Sequence, residues 1–153
     1  MELTGTRLIA APREVVWTRL NDAATLKACI PGCEELTGSP EEGFEAVVKQ
    51  KVGPVKATFK GFVTLSDVKP PESYRIAGEG KGGVAGFAKG SADVTLEEDG
   101  DETVLRYEAR AQVGGKLARL GSRLIDATAK KVATQFFNNF QQHLNDPDPP
   151  EDG

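Results

Sequence analysis

The chain has 153 residues, 39% hydrophobic and 27% charged, with a net charge of −4, which fits one soluble domain with one core. The acidic balance argues against a nucleic-acid partner, and the sequence shows no polybasic run of the kind that binds membranes. No apolar run approaches the ~18 residues of a spanning helix, and Met1 to Gly5 has neither a charged nor an apolar leader, so the cytoplasm is the expected compartment.

Glu2 to Ala10 reads as a first strand, with β-branched and apolar residues. Pro12 is tolerated in a first helical turn, and Val16 and Leu20 sit one helical step apart, so Arg13–Leu20 reads as a short helix. Asp22 can cap a second one, Ala23–Cys29, which Pro31-Gly32 ends. From Cys33 the period changes to two. Phe44, Ala46, Val48, Gln50 and Val52 alternate with polar neighbours, and Gly53-Pro54 makes a turn. Val55, Ala57, Phe59, Gly61, Val63 and Leu65 form the next inward row, ended by Pro70-Pro71. Tyr74, Ile76 and Gly78 follow. Then come Ala88, Gly90, Ala92, Val94 and Leu96, a hairpin signal at Asp99-Gly100-Asp101, and Leu105, Tyr107, Ala109, Ala111 and Val113. One apolar face per strand marks an antiparallel sheet covered on one side.

After Gly114-Gly115 the period changes again. Leu117, Leu120, Leu124, Ala127, Val132, Phe136 and Phe140 recur at steps of three to five, the apolar face of one long helix over Lys116 to Leu144. The fold class is therefore α+β: a curved antiparallel sheet of about seven strands around a long C-terminal helix, with two short helices after the first strand. Residues 1–144 form the domain. The tail 145–153, rich in Asp and Pro, is expected to be disordered.

Several chemical readings are weak. Cys29 and Cys33 are not spaced Cys-x-x-Cys, and with His143 alone they cannot complete a zinc set without carboxylates. They read as free thiols without metal, in a reducing compartment. The glycine-rich stretch Gly80 to Gly90 lacks the order of a phosphate loop and precedes a strand. It reads as a flexible rim with Val84, Ala85 and Phe87 exposed. His143 has no nucleophile signature near it, so no catalytic residue is assigned.

The inward faces carry a size signal, because Gly61, Gly78, Ala88, Gly90, Ala92, Ala109 and Ala111 are small. Beneath a helix held at its ends, they predict close packing at one end and a cavity at the other. The expected walls are Val48, Gln50, Phe59, Val63, Ala88, Ala92, Tyr107, Leu120 and Leu124, between the sheet and the first half of the long helix. Leu26, Ile30, Val84 and Phe87 are expected at its mouth. Gln50 or Tyr107 would orient a polar head.

The chain resembles the G-subunit family of carbon monoxide dehydrogenase, within the helix-grip group of START-like and Bet v 1-like proteins and polyketide cyclases. The matching stretches are Ile30-Pro31-Gly32, Lys51-Val52-Gly53-Pro54, Phe59-Lys60-Gly61, Gly80-Lys81-Gly82-Gly83, Ala85 to Gly90, Val113 to Ile125 and Phe136-Phe137. The resemblance implies a non-catalytic carrier or adaptor with no covalent cofactor. Its apolar cavity would take a lipid or a quinone such as menaquinone. It would assist membrane recruitment, electron-acceptor delivery or maturation of a carbon monoxide dehydrogenase-type molybdenum hydroxylase, whose subunits are its expected partners. The implied place is the cytoplasm, peripheral to the cytoplasmic membrane face. The alternative within the same fold group is a cavity enzyme of the cyclase or hydrolase kind.

Overall fold

The computed structural model describes residues 1–145. Strand β1 (Glu2–Ile9) leads into α1 (Arg13–Leu20) and α2 (Ala23–Cys29). Six strands follow, β2 (Cys33–Ser39), β3 (Gly43–Val52), β4 (Val55–Lys69), β5 (Ser73–Lys81), β6 (Phe87–Asp99) and β7 (Glu102–Gly114). A 3₁₀ segment, Gly115–Leu120, precedes the long helix α3 (Ser122–Asn145). The predicted tail lies outside the described residues beyond Asn145.

All seven strands join one antiparallel sheet in the order β1-β7-β6-β5-β4-β3-β2. Consecutive strands are neighbours, as short hairpin turns require. Only β1 makes a distant pairing, running Glu2 opposite Arg110 to Ile9 opposite Thr103. The inward rows meet across the ladders: Val63 faces Gly78, Ile76 faces Ala92, and Ala92 faces Ala109.

The long helix starts later than its periodicity suggests. Gly121 takes a φ of +91°, a conformation that favours glycine, and the chain turns there. Residues 115–120 form a tighter 3₁₀ helix instead. Leucines three apart, such as Leu117 and Leu120, suit either helix type, so the spacing alone did not separate them.

The closed end holds the core. Ile9, Val16, Leu20, Cys29, Tyr74, Val94, Leu96, Leu105 and Phe140 pack together there. Phe140 is wholly buried and lies near-parallel to Phe136 at 5.9 Å, while Trp17 meets Tyr74 edge-on at 5.1 Å. Such ring pairs add about 0.5–1.5 kcal/mol each beyond area burial. Polar ties fix α3 on both sides. Asn139 Nδ2 donates to the Cys29 carbonyl at 3.0 Å, and the Ala10 amide donates to Gln141 Oε1 at 2.8 Å. The helix thus bridges α2 and β1 across the open side of the curved sheet.

Candidate functional site

An apolar cavity of about 320 Å³ lies between the sheet and the second half of α3. Phe136 and Phe137 form its roof. Phe44, Ala46, Val63, Leu65, Ile76, Ala92 and Val94 line its sheet side, and Leu20, Leu26 and Ile30 close it from the short helices. Asn21, Tyr74 and Tyr107 are the only polar side chains among its lining residues. A volume in this range with apolar walls and few polar groups is the usual form of a small-molecule site. The cause is visible in the rows: bulky rings on α3 stand over alanines on β3 and β6, and the missing side-chain volume is the cavity.

A second, more open hollow of about 440 Å³ continues from it along the concave face. Val48, Phe59, Gly61, Gly78, Ala88, Gly90 and Ala111 line it. Ile30, Ala46, Val63, Ile76 and Ala92 border both spaces. The two form one trough that is roofed toward the closed end and open at the other. A larger concavity of about 800 Å³ lies on the outer face, but Glu35, Glu45, Lys60, Glu79, Lys81 and Lys89 line it. It is a solvated trough of the twisted sheet.

The predicted site residues divide. Val63, Ala92 and Tyr107 line the roofed cavity, and Val48, Phe59 and Ala88 line its open continuation. Leu26 and Ile30 are wall residues, with Ile30 at the junction of the two spaces.

Five of the expected residues lie elsewhere. Gln50 is inward but past the trough. Its Nε2 donates to the Pro31 carbonyl at 2.7 Å, and the Lys49 amide donates to the Gly32 carbonyl at 2.9 Å. Gln50 is thus a latch on the turn that ends α2. Leu120 and Leu124 line neither space, since the first half of α3 contributes nothing to the walls; Leu124 packs against Gly53. Val84 is 86% exposed at the tip of the β5–β6 loop, and the Phe87 ring rests over Gly114, outside both linings.

Sequence reading missed Phe136 and Phe137 as roof residues, and Leu36, Phe44, Ala46 and Ile76 as walls. The adjacent aromatic pair on α3 was the available signal. At 3.6 residues per turn, neighbouring helix residues point about 100° apart, so an adjacent aromatic pair facing a sheet spreads across it; the two rings meet edge-on at 5.1 Å and both line the cavity. Gly5 also matters. It pairs with Tyr107 in register, and a Cβ there would fall 2.5 Å from the phenol ring. The bare glycine lets that ring lie flat along the cavity wall.

Ionisable chemistry is sparse here. Burial pushes the Tyr74 phenol far above its ordinary range and raises the Cys29 thiol, with Arg19 partly offsetting the latter. Both groups are therefore neutral at pH 7. Cys29 and Cys33 are free thiols, and no group of three or more potential metal ligands occurs among the described residues. His143 is half-buried near the end of α3 and lines neither space.

Comparison with known proteins adds to this geometry. Residues 5–145 match the CoxG family model, described as the G subunit of carbon monoxide dehydrogenase. The chain is similar to the crystal structure of a conserved protein from Geobacillus kaustophilus, with 30% identity, a TM-score of 0.87, and coverage of 94% of this chain and 95% of that one. A protein from Thermus thermophilus shares the fold at 15% identity and a TM-score of 0.69, covering 94% and 97%. One from Mycobacterium smegmatis does so at 17% identity and a TM-score of 0.69, covering 97% and 93%. No curated protein sequence matches the chain. No helix among the described residues is long and apolar enough to cross a membrane.

Proposed function

Because the chain belongs to the CoxG family, the G subunits of carbon monoxide dehydrogenase, we propose that it is a non-catalytic carrier. It shelters a quinone- or lipid-like molecule and serves a molybdenum hydroxylase of the carbon monoxide dehydrogenase type. The observation that carries this reading is the roofed cavity, whose walls hold three polar side chains and no carboxylate, lysine, arginine or histidine. Burying an isoprenoid or acyl chain against such walls contributes roughly 25 cal/mol per Å² of apolar area before binding costs are deducted. Tyr107 is the group best placed to meet a carbonyl or hydroxyl head, since Tyr74 sits at the packed end. The open continuation would hold the part of a long chain that the roofed space cannot. Cyclase or hydrolase chemistry needs convergent acid–base groups, and the residues lining the roofed cavity supply none beyond phenols.

Organic extraction of the purified protein, read by mass spectrometry against menaquinone and fatty-acid standards, tests the carrier reading. Recovery of a stoichiometric apolar compound supports it. Failure to retain any such compound after incubation with either standard, in a protein whose fold is intact, would sink it.

A further inference from the structure

The roofed cavity has one corner whose hydrogen bonding is incomplete. Asn21 ends α1 and borders the cavity. Its backbone amide donates to the Thr18 carbonyl at 3.3 Å, and its Nδ2 donates to the Trp17 carbonyl at 2.9 Å. Both bonds satisfy carbonyls that the end of a helix leaves open. Because a carbonyl only accepts, the amide nitrogen must face Trp17 and cannot exchange places with the oxygen. Oδ1 is left at the other corner of the amide, buried and without a hydrogen-bond partner. Three buried side-chain atoms lack a partner among the described residues: Arg13 Nε, Asn21 Oδ1 and Asp126 Oδ1. Of these three residues, Asn21 alone borders the roofed cavity.

A helix cap accounts for Nδ2 but not for Oδ1. A buried acceptor without a donor is unfavourable, because it has given up water and gained nothing in return. The other polar side chains lining the cavity are Tyr74 and Tyr107. A phenol hydroxyl can donate or accept, so those two suit a carbonyl and a hydroxyl alike. Asn21 Oδ1 can only accept. No charged side chain lines the space, so an ionised head would be buried unpaired, at high cost.

We infer that Asn21 Oδ1 is a specificity-determining acceptor, which takes a hydrogen bond from a neutral O–H on the bound molecule. The cavity then discriminates between heads of nearly equal size and shape. A hydroquinone ring is favoured over the quinone, and a long-chain alcohol over its ether. A site with a buried polar group strongly rejects the analogue that leaves that group unpaired, whereas an apolar wall discriminates weakly. For a quinone couple, tighter binding of the reduced form raises the potential of the bound couple, by about 30 mV for each tenfold. This preference rests on the carrier reading, since it names which molecules of that class the cavity takes.

Displacement of the neutral dye Nile red from the full chain measures the affinities. Two pairs of competitors differ chiefly in the donor: menaquinone-4 with its hydroquinone, under argon, and 1-hexadecanol with its methyl ether. Wild type should bind the O–H member of at least one pair about tenfold more tightly, the order of effect expected of a buried acceptor left unpaired. A preference in the first pair assigns a hydroquinone head, and one in the second a lipid alcohol. In Asn21→Leu, a side chain of similar size, the preference should vanish while the quinone and the ether bind as before. Loss of the Trp17 bond by itself would weaken both members of a pair alike and leave their ratio unchanged. If the variant fails to fold, the wild-type ratios still decide. Equal affinities within both pairs, or a preference that survives Asn21→Leu, would overturn the inference and leave the carrier reading standing. Displacement by none of the four, from a folded protein, would sink the carrier reading itself.

Discussion

The ring of Tyr107 stacks on the ring of Phe137 with centroids 5.5 Å apart and planes 24° apart, joining the sheet to the roof of the cavity. The Arg7 guanidinium sits 5.3 Å from the centroid of the same Phe137 ring and donates to Thr134 Oγ1 at 3.3 Å. The roof is therefore held from β7 and from β1 together. Gly5 makes the stack possible, since any side chain there would occupy the place of the phenol. Gly5→Ala is expected to push Tyr107 off Phe137 and cost about 1–3 kcal/mol, as overpacking does. Urea unfolding measures the cost, and a crystal structure with Tyr107 unmoved would contradict the account.

Ala92→Trp should fill the space between Ile76, Ala109 and the Phe136–Phe137 roof. Ala92 borders both the roofed cavity and its open continuation, so one indole blocks the passage between them. Binding of a menaquinone or fatty-acid probe should be lost while circular dichroism stays native. Unchanged affinity in this variant would show that the trough is not the binding site.

Phe140→Ala should cost about 3–5 kcal/mol, the range for a large ring removed from a tight core. The residue is wholly buried between α1, α2 and the sheet. A loss under about 1 kcal/mol by denaturant titration would mean that the closed end collapses freely around the gap.

Gln50→Ala separates a latch from a ligand group. Losing the bond to the Pro31 carbonyl should cost about 1 kcal/mol and speed amide exchange through the Ile30-Pro31-Gly32 turn. Probe affinity should change by less than about twofold, because the side chain lies outside the walls. A tenfold loss of affinity with unchanged exchange would restore Gln50 to the site.

Alkali should weaken the fold. Burial raises the thiols of Cys29 and Cys33 and the phenol of Tyr74, so the folded chain keeps protons that the unfolded chain releases. Stability from these groups is complete below the ordinary thiol value of about 8.5 and falls as pH rises through it, with the phenol adding to the fall above about 10. The urea midpoint should therefore drop between neutral pH and about 10.5, and Cys29→Ala should flatten the first part of the slope. A midpoint that rises over this range would refute the assignment.

The order of elements was legible because each carries its own period. Arg13–Leu20 and Ala23–Cys29 fall where Pro12 and Asp22 start them. Asp22 accepts from the Thr25 amide at 3.0 Å, as a cap should. The two-residue alternation also gave the inward rows. It could not give position along a row, so Gln50 and Val48 looked equivalent although one meets Pro31 and the other the trough. The roof was misplaced for a related reason. A helix face names which residues point inward, while distance from the sheet depends on tilt, and tilt is set by Asn139, Gln141 and Phe140 near the far end.

The pairing of β1 with β7 has a consequence for how the molecule is made. Glu2 finds its partner Arg110 only after about a hundred residues have followed it. At roughly 5–20 residues per second of synthesis, that wait is on the order of ten seconds. During it the first eight-residue strand has no neighbour, and Leu3 and Ile9, the latter buried in the finished fold, are uncovered. The hairpins from β2 to β7 can zip in order as they emerge, because each closes a short loop. The sheet therefore grows toward its own beginning. The step that seats β1, and with it Arg7 beneath α3, is the slow non-local one.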